Sequence, residues 1–459
     1  MRTLSVRNRM KRAAILLSAA LALAAPARAA ISLQAIKPDG FAHGVVLTVD
    51  GYAAGKPALT NFPVLVRISE TGISGFDYDD VLLSAGGDVR FADANGNALP
   101  FEIDTWTNGA TSLVWVTLPE MTNGTEFAMF YGAAQSDANA FAAARHPWAD
   151  YTGVWHMGDK GWRSGQTIRD STTNQLSGET ASNSSQPMAD GAVGVARKIC
   201  ASTNSKNQEQ ISVSLSDPNK KAVVDALVPQ FSVSLWYRIK ESVETSIQWD
   251  YLIGRKPSEK ANTSTGWAIQ MSDPGSGGGV KYGIRLWSNE TTDSAPPATA
   301  IPVVGKDLWT TAGTWIKLDA VYDNNRYSCY TNGAPVVIDG DLKGNAVNGS
   351  STILGIGGAA PTADVIRPFT GDMDEVRLRR GTVSADWVAA DYATQTSPSF
   401  LPPERSRRSA PPPSRPPNSR SSTRARPSSS FPAGSLRSAR GRPPVRCTTG
   451  TGRIPSRSP

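Results

Sequence analysis

Apolar residues recur at every second position along most of this chain, in short runs separated by glycine, asparagine and proline. A period of two sends alternate side chains to opposite faces of a strand, so the pattern predicts sheets with one apolar and one polar face. In the first third the runs are 45–49, 62–68, 88–92, 112–118 and 126–131. Asn95-Gly96, Asn108-Gly109 and Asn123-Gly124 lie between the last of them. Asn-Gly supplies the positive φ angles that tight hairpin turns require, which predicts an antiparallel sheet and argues against βαβ units. Residues 133–144 read either as a short helix or as an alanine-rich connector.

The same alternation resumes at 154–159 and continues through 231–238, 267–271, 282–287, 315–322 and 326–330. Asn332-Gly333 then turns the chain into 334–338, and runs at 353–357 and 375–379 follow. Trp236 and Trp315 fall on the apolar faces and are expected in the core. Only 384–392 has a helical look. Ser384 is its N-cap, Asp386 complements the helix dipole from the first turn, and Trp387 and Tyr392 are expected to pin it to the sheets. The prediction is an all-β protein of two antiparallel β-sandwich domains, at 32–145 and 149–398.

The chain's ends break the pattern. Arg2, Arg7, Arg9, Lys11 and Arg12 precede a largely apolar run at 13–25, and Ala27-Arg28-Ala29 follows Pro26. Basic, then apolar, then small residues predict a secretory signal over 1–29, with an apolar run shorter than the ~20 residues that span a bilayer. No later segment is apolar enough to cross a membrane, so the mature chain is expected to be exported to the periplasm, cell surface or medium. Residues 402–459 are almost entirely Pro, Ser, Arg, Gly, Thr and Ala. Such a segment cannot bury enough apolar surface to order itself. It reads as a disordered basic arm, a linker, or an out-of-frame translation of GC-rich codons.

These ends also explain the charge. The formal net charge is +7, but residues 1–29 hold six bases and no acid, and 402–459 hold thirteen arginines and one acid. The remaining body has 28 bases against 39 acids and is therefore acidic. A basic balance points to nucleic acid or anionic surfaces, and here it attaches only to the tail, so no nucleic-acid partner is expected. Of the three cysteines, Cys200 and Cys329 lie on strand-like segments of the body and Cys447 in the tail. A 200–329 disulfide is open in an oxidising compartment, and two unpaired buried thiols are the favoured reading. No C-x-x-C occurs, which excludes a zinc or redox site built on that motif.

Two families emerge from ordered sets of short motifs. Leu59-Thr-Asn-Phe-Pro-Val-Leu-Val-Arg67, Asp88-Val-Arg-Phe-Ala-Asp93, Leu99-Pro-Phe-Glu-Ile-Asp-Thr-Trp106 and Phe130-Tyr-Gly132 make residues 44–132 resemble the bacterial domain-of-unknown-function 2341 family. Gly153-Val-Trp-His-Met-Gly158, Gly191-Ala-Val-Gly194, Phe231-Ser-Val-Ser-Leu-Trp236 and Asp374-Glu-Val-Arg377 make 151–397 resemble the laminin-G-like jellyroll, of the concanavalin A-like lectin/glucanase fold. The resemblance implies an exported or cell-surface bacterial protein. Relatives of the first family also occur with proton-driven biopolymer transport channels, whose membrane helices this sequence lacks.

Four kinds of chemistry are candidates. Sandwich glucanases of the resembled fold use an E-x-D-x-(x)-E strand, and Glu102 and Asp104 share a strand face here. The third acid is missing, since Trp106 and Thr107 stand in its place, so the motif is expected to be structural. Asp372, Asp374 and Glu375 are candidate Ca²⁺ ligands, a hard ion that takes carboxylate oxygens. Their alternative role is turn capping and pairing with Arg377 or Arg379. His156, beside Trp155, is expected to be packed rather than catalytic, and His43 and His146 show no partner. Tryptophan rings stack on sugar C–H faces, and Trp162, Trp249 and Trp287, flanked by polar residues, are the candidate ligand contacts. The expected function is non-catalytic recognition of carbohydrate or a surface protein by the second domain. A glycoside hydrolase and a structural module of a surface assembly are the alternatives, and the oligomeric state is open.

Overall fold

The computed structural model describes residues 30–402 apart from 143–145, 161–164, 181–186, 189, 200–209, 240–250, 256–265, 273–280, 288–298, 301–312, 325, 342–350, 359–368 and 370. The expected signal, almost all of the basic tail, Cys200, Trp162 and Trp249 lie outside the described residues. Among the described residues, no helix is long and apolar enough to cross a membrane.

The first domain is a sandwich of two three-stranded antiparallel sheets. One has the order β1 (His43–Thr48), β6 (Glu126–Tyr131), β3 (Arg90–Ala92). The other has the order β2 (Leu59–Ile68), β5 (Ser112–Met121), β4 (Phe101–Thr105). Val45, Leu47, Phe127 and Met129 point inward from the first sheet and meet Phe62, Val64, Val66, Val114 and Val116 from the second. The opposite face of β1 and β6, with Val46, Ala128 and Phe130, is covered by Phe41, Phe141 and the helix Gln135–Ala140. That helix resolves the alternative left open over 133–144.

The three Asn-Gly turns do not all make hairpins. Asn108-Gly109 joins β4 to its ladder partner β5. Asn95-Gly96 closes a short antiparallel turn in which Ala92 bridges Ala98 and Leu99 N donates to Phe91 O, before the chain crosses to β4. Asn123-Gly124 carries the chain between the two sheets, since β5 and β6 belong to opposite sheets. The dihedral angles mark the difference. Asn332 (φ 49) and Gly333 (φ 76) are both left-handed, as a type I′ hairpin needs, and they join two paired strands. At the other three turns only the glycine has positive φ.

The second domain is a larger sandwich of two eight-stranded antiparallel sheets. Its core lies between Val233, Leu235, Leu318, Val376 and Leu378 on one side and Ile211, Val213, Leu252, Ile269 and Leu354 on the other. The strand Gly371–Arg380 closes this domain and sits centrally in its sheet. It pairs with Gln230–Ile239, with Ala196–Lys198 and with β7 (Tyr151–Trp155), so the domain's first and last segments share a ladder. Cys329 is a free, buried thiol.

The closing strand departs from the sequence pattern in an informative way. Arginines and acids alternate with apolar residues along it, yet Asp374, Glu375 and Arg377 are all buried. The first domain's second sheet and the C-terminal helix cover that face. Leu65, Leu113 and Trp115 of the first domain form one cluster with Trp148, Tyr151, Val154 and Val193. Period-two patterning reports that a strand has two faces, not what later packs on the polar one.

The helix Ala385–Thr396 ties both domains together. Ser384 caps it, its side chain accepting from Trp387 N at 3.1 Å. Trp387 packs edge-on against Phe62 of the first domain at 4.8 Å, and Tyr392 packs against Trp236 of the second at 5.7 Å. Leu65 N donates to Thr394 Oγ1, and Arg67 Nη1 donates to Thr394 O at 2.9 Å. Phe400 and Leu401 then complete the first domain's core. Trp236 is buried, under this helix rather than between the sheets. Trp315 is not a core residue: it is half-buried just before the strand Ile316–Asp323, beneath the Arg238 guanidinium at 4.7 Å.

Candidate functional site

The buried seam between the sandwiches collects the acids that sequence reading treated separately. β4 carries Glu102 and Asp104, and its ladder with β5 slips between Ile103 and Thr105. The closing strand carries a bulge of its own. Ser234 faces Arg377 and Trp236 faces Asp374, so Glu375 and Val376 both lie opposite Leu235. Glu375 adopts φ 46 there. A left-handed non-glycine residue costs about 1–2 kcal/mol, and bulges with such residues re-aim side chains at functional positions. Here the bulge aims Glu375 at His156.

His156 follows β7, and its ring lies between the acids of the two domains. Nδ1 is 2.8 Å from Glu375 Oε1, and Nε2 is 3.3 Å from Glu102 Oε2. Both ring nitrogens face carboxylates, an arrangement that fits the doubly protonated ring. The ring stacks on Trp115 at 6.3 Å and tilts against Trp148 at 5.6 Å. Glu102 also accepts from Ser171 Oγ at 2.7 Å and from Trp148 Nε1. Arg377 Nε and Nη2 donate to Glu375 Oε2 at 3.1 and 2.6 Å. The Arg377 guanidinium lies 4.1 Å from the Trp115 ring and 5.0 Å from Trp148. Beyond it, Arg377 Nη1 meets Asp391 Oδ1 at 3.2 Å, and Asp391 Oδ2 meets Lys317 Nζ at 2.7 Å.

The titrations follow from this packing. Burial opposes charge on His156, but Glu375, Asp104 and the bond to Glu102 outweigh it and hold the imidazole well above its usual range. Burial also acts against Glu102, yet His156, Trp148 and Ser171 bring its carboxyl down to about 2. Asp104 lacks such donors. Burial, then the charges of Glu375 and Glu102, push it up to about 6 against the pull of His156 and Arg377. Asp374 is raised by burial and by Glu375, although it accepts from the backbone N–H groups of Val193 and Glu375 at 2.8 and 2.9 Å.

Residues 208–389 match the family described as the concanavalin A-like lectin/glucanases superfamily, and residues 85–144 match domain of unknown function DUF2341. The chain carries a DUF2341 domain followed by a concanavalin A-like lectin/glucanase domain. No curated protein sequence matches it. Among solved structures it is similar to domain 4 of AbnA, an extracellular GH43 arabinanase from Geobacillus stearothermophilus, in complex with arabinotriose. That match has 18% identity over 53% of this chain and 98% of that one, with a TM-score of 0.36. It is also similar to the CBM40 of the Ruminococcus gnavus IT-sialidase bound to α2,3-sialyllactose (18% identity, 40% and 92% coverage, TM-score 0.30). The ligand binding domain of botulinum neurotoxin serotype D, in complex with N-acetylneuraminic acid, matches at 12% identity, 55% and 54% coverage and a TM-score of 0.38.

The candidate Ca²⁺ ligands do not converge. Asp372 pairs with Arg238 Nε at 2.9 Å, Asp374 takes backbone N–H groups, and Glu375 turns to the DUF2341 side. The group the structure brings together is Asp104, His156 and Glu375, whose ligand atoms all lie within 4.8 Å of one another. One nitrogen and two oxygens make a mixed donor set, better matched to zinc or manganese than to the all-oxygen shell of calcium. Of the three tryptophan candidates only Trp287 falls in a described element, the strand Lys281–Trp287, opposite Gly266. His43 and His146 do have partners: His43 stacks on Tyr131 at 5.1 Å, and His146 Nδ1 accepts from Trp148 N at 3.4 Å. Trp115, Trp148, Asp391 and Lys317 were not singled out from sequence. The one signal was alternation itself, which places His156 on the face opposite core Trp155.

Proposed function

We propose that this is an exported bacterial protein that binds glycan at the cell surface and does not cleave it. The observation that carries the reading is the position of the His156 ring. A glycosidase holds a glycosidic bond between two carboxyl groups, one of them the acid. Here the imidazole fills the space between Glu102 and Glu375, and both carboxylates are tied up by Ser171, Trp148 and Arg377. The lectin/glucanase domain supplies the recognition fold, and the DUF2341 domain packs against it. One observation favours the hydrolase alternative: Asp104 at about 6 beside Glu102 at about 2 is the split between a proton-holding acid and an ionised partner.

A glycan array on the full chain, with and without EDTA, tests the proposal, together with a reducing-sugar assay on every glycan retained. Retention without release supports it. Release of reducing ends rejects it in favour of hydrolysis, and silence on all glycans rejects it in favour of a structural module. Loss of retention in EDTA would show that binding needs a divalent metal, for which Asp104, His156 and Glu375 are the candidate ligands. Cell fractionation checks the export.

A further inference from the structure

The seam also has an open side. An external cleft of about 220 Å³ lies where the DUF2341 sheet meets the segment entering the lectin/glucanase domain. Its apolar surface comes from Pro119, Pro147 and Tyr151, and its polar groups from Asn61, His146 and Asp150. Its volume is below the roughly 300–1,000 Å³ of sites for drug-sized ligands, which suits one small ring.

Asn61 is the unusual member. It holds φ 52, a left-handed angle, inside β2. It lies at a gap in the ladder, between the pairs Thr60–Glu120 and Phe62–Leu118, where Pro119 has no N–H to offer. The strained backbone turns the amide outward, and Nδ2 donates to Asp150 Oδ2 at 3.1 Å. That bond leaves the second amide hydrogen, Asn61 Oδ1 and Asp150 Oδ1 without a partner among the described residues. His146 accepts a backbone N–H at Nδ1, which leaves Nε2 as its donor.

We propose that this cleft binds a single neutral sugar ring. Adjacent hydroxyls on a pyranose or furanose both donate and accept. One can donate to the Asp150 carboxylate while its neighbour accepts from Asn61 or His146, the charge-assisted pairing that neutral amides alone do not supply. The C–H face of the ring covers the prolines and Tyr151. Among the described residues that line the cleft Asp150 is the one carboxylate, and its Oδ2 also meets Arg379 Nη2 at 3.4 Å. A sugar carboxylate has no proton to give Asp150 Oδ1, so a neutral ring is a better match here than a sialic or uronic acid. The assignment rests on the glycan-binding reading above.

The test is calorimetric titration of the full chain with neutral monosaccharides (glucose, galactose, mannose, arabinose) and with glucuronic and N-acetylneuraminic acids. A neutral sugar is expected to bind, and Asp150→Asn is expected to weaken it about tenfold or more, the value of one charge-assisted hydrogen bond. Ala149→Tyr plugs the cleft from an exposed position and should abolish the signal. Asn61→Gly keeps the left-handed backbone but removes the amide, and should weaken binding without lowering the melting temperature. Binding that survives all three substitutions overturns the cleft and leaves the glycan reading standing. A preference for the acidic sugars overturns it too. Failure of the unmodified chain to bind any of these sugars or any arrayed glycan overturns both.

Discussion

Asp104→Asn should stabilise this protein at alkaline pH and do little at acid pH. Asp104 is the one acid of the seam with no hydrogen-bond donor given to it among the described residues, and its carboxyl is pushed from 3.8 to about 6. Burial is the largest cause, followed by Glu375 and Glu102. A carboxyl whose folded pKa exceeds its unfolded value holds its proton more tightly when folded. Its contribution is present below about pH 4 and is lost as pH rises through about 6. Two units at ~1.4 kcal/mol each give a penalty of about 3 kcal/mol at pH 8, an upper bound because the side chain keeps some solvent contact. Asparagine keeps the shape and removes the titration. Urea unfolding of both proteins at pH 4 and pH 8 measures the difference, with an unchanged slope confirming the same unfolding reaction. A variant no more stable than the parent at pH 8 refutes the electrostatic account. So does an equal gain at both pH values. A loss seen only in metal-containing buffer would show instead that Asp104 is a ligand.

Three further outcomes follow from the same contacts. Arg377→Met leaves Glu375 and Asp391 buried without their shared cation and should destabilise by about 3–5 kcal/mol, read by the urea midpoint. Trp387→Ala opens a cavity against Phe62 in the DUF2341 core and should cost about 3–5 kcal/mol; if the helix served only the second domain, hydrogen exchange in β2 would be unchanged. Burial pushes the Cys329 thiol up to about 12, so it should resist alkylation in the native protein at pH 8 and react once unfolded. Rapid native labelling at Cys329 would contradict its placement.

The sequence by itself determined the local structure. Alternation at 62–68, 112–118 and 375–379 falls within observed strands, Ser384 caps the predicted helix, and Asn332-Gly333 makes the predicted hairpin. These features depend on φ/ψ preferences and on side-chain period, which act over a few residues. Only the tertiary structure decided what each polar face would meet. Pairing of the closing strand's acids with Arg377 was one of two roles open in sequence, and Arg377 does pair with Glu375, but the burial of that pair against Trp115, Trp148 and Asp391 was not legible. Asn123-Gly124 read as a hairpin and crosses between sheets. The third acid missing from Glu102-Ile-Asp104 arrives from the closing strand, with His156 between the two domains' carboxylates. His156 is 54 residues from Glu102 and 219 from Glu375, separations over which no local pattern carries information. The helix Ala385–Thr396 is legible as a helix in sequence, but its place under both domains follows from burying Trp387 and Tyr392 on opposite partners. Pairing of that kind is set by the complementarity of whole surfaces, and it exists only once both sandwiches have formed.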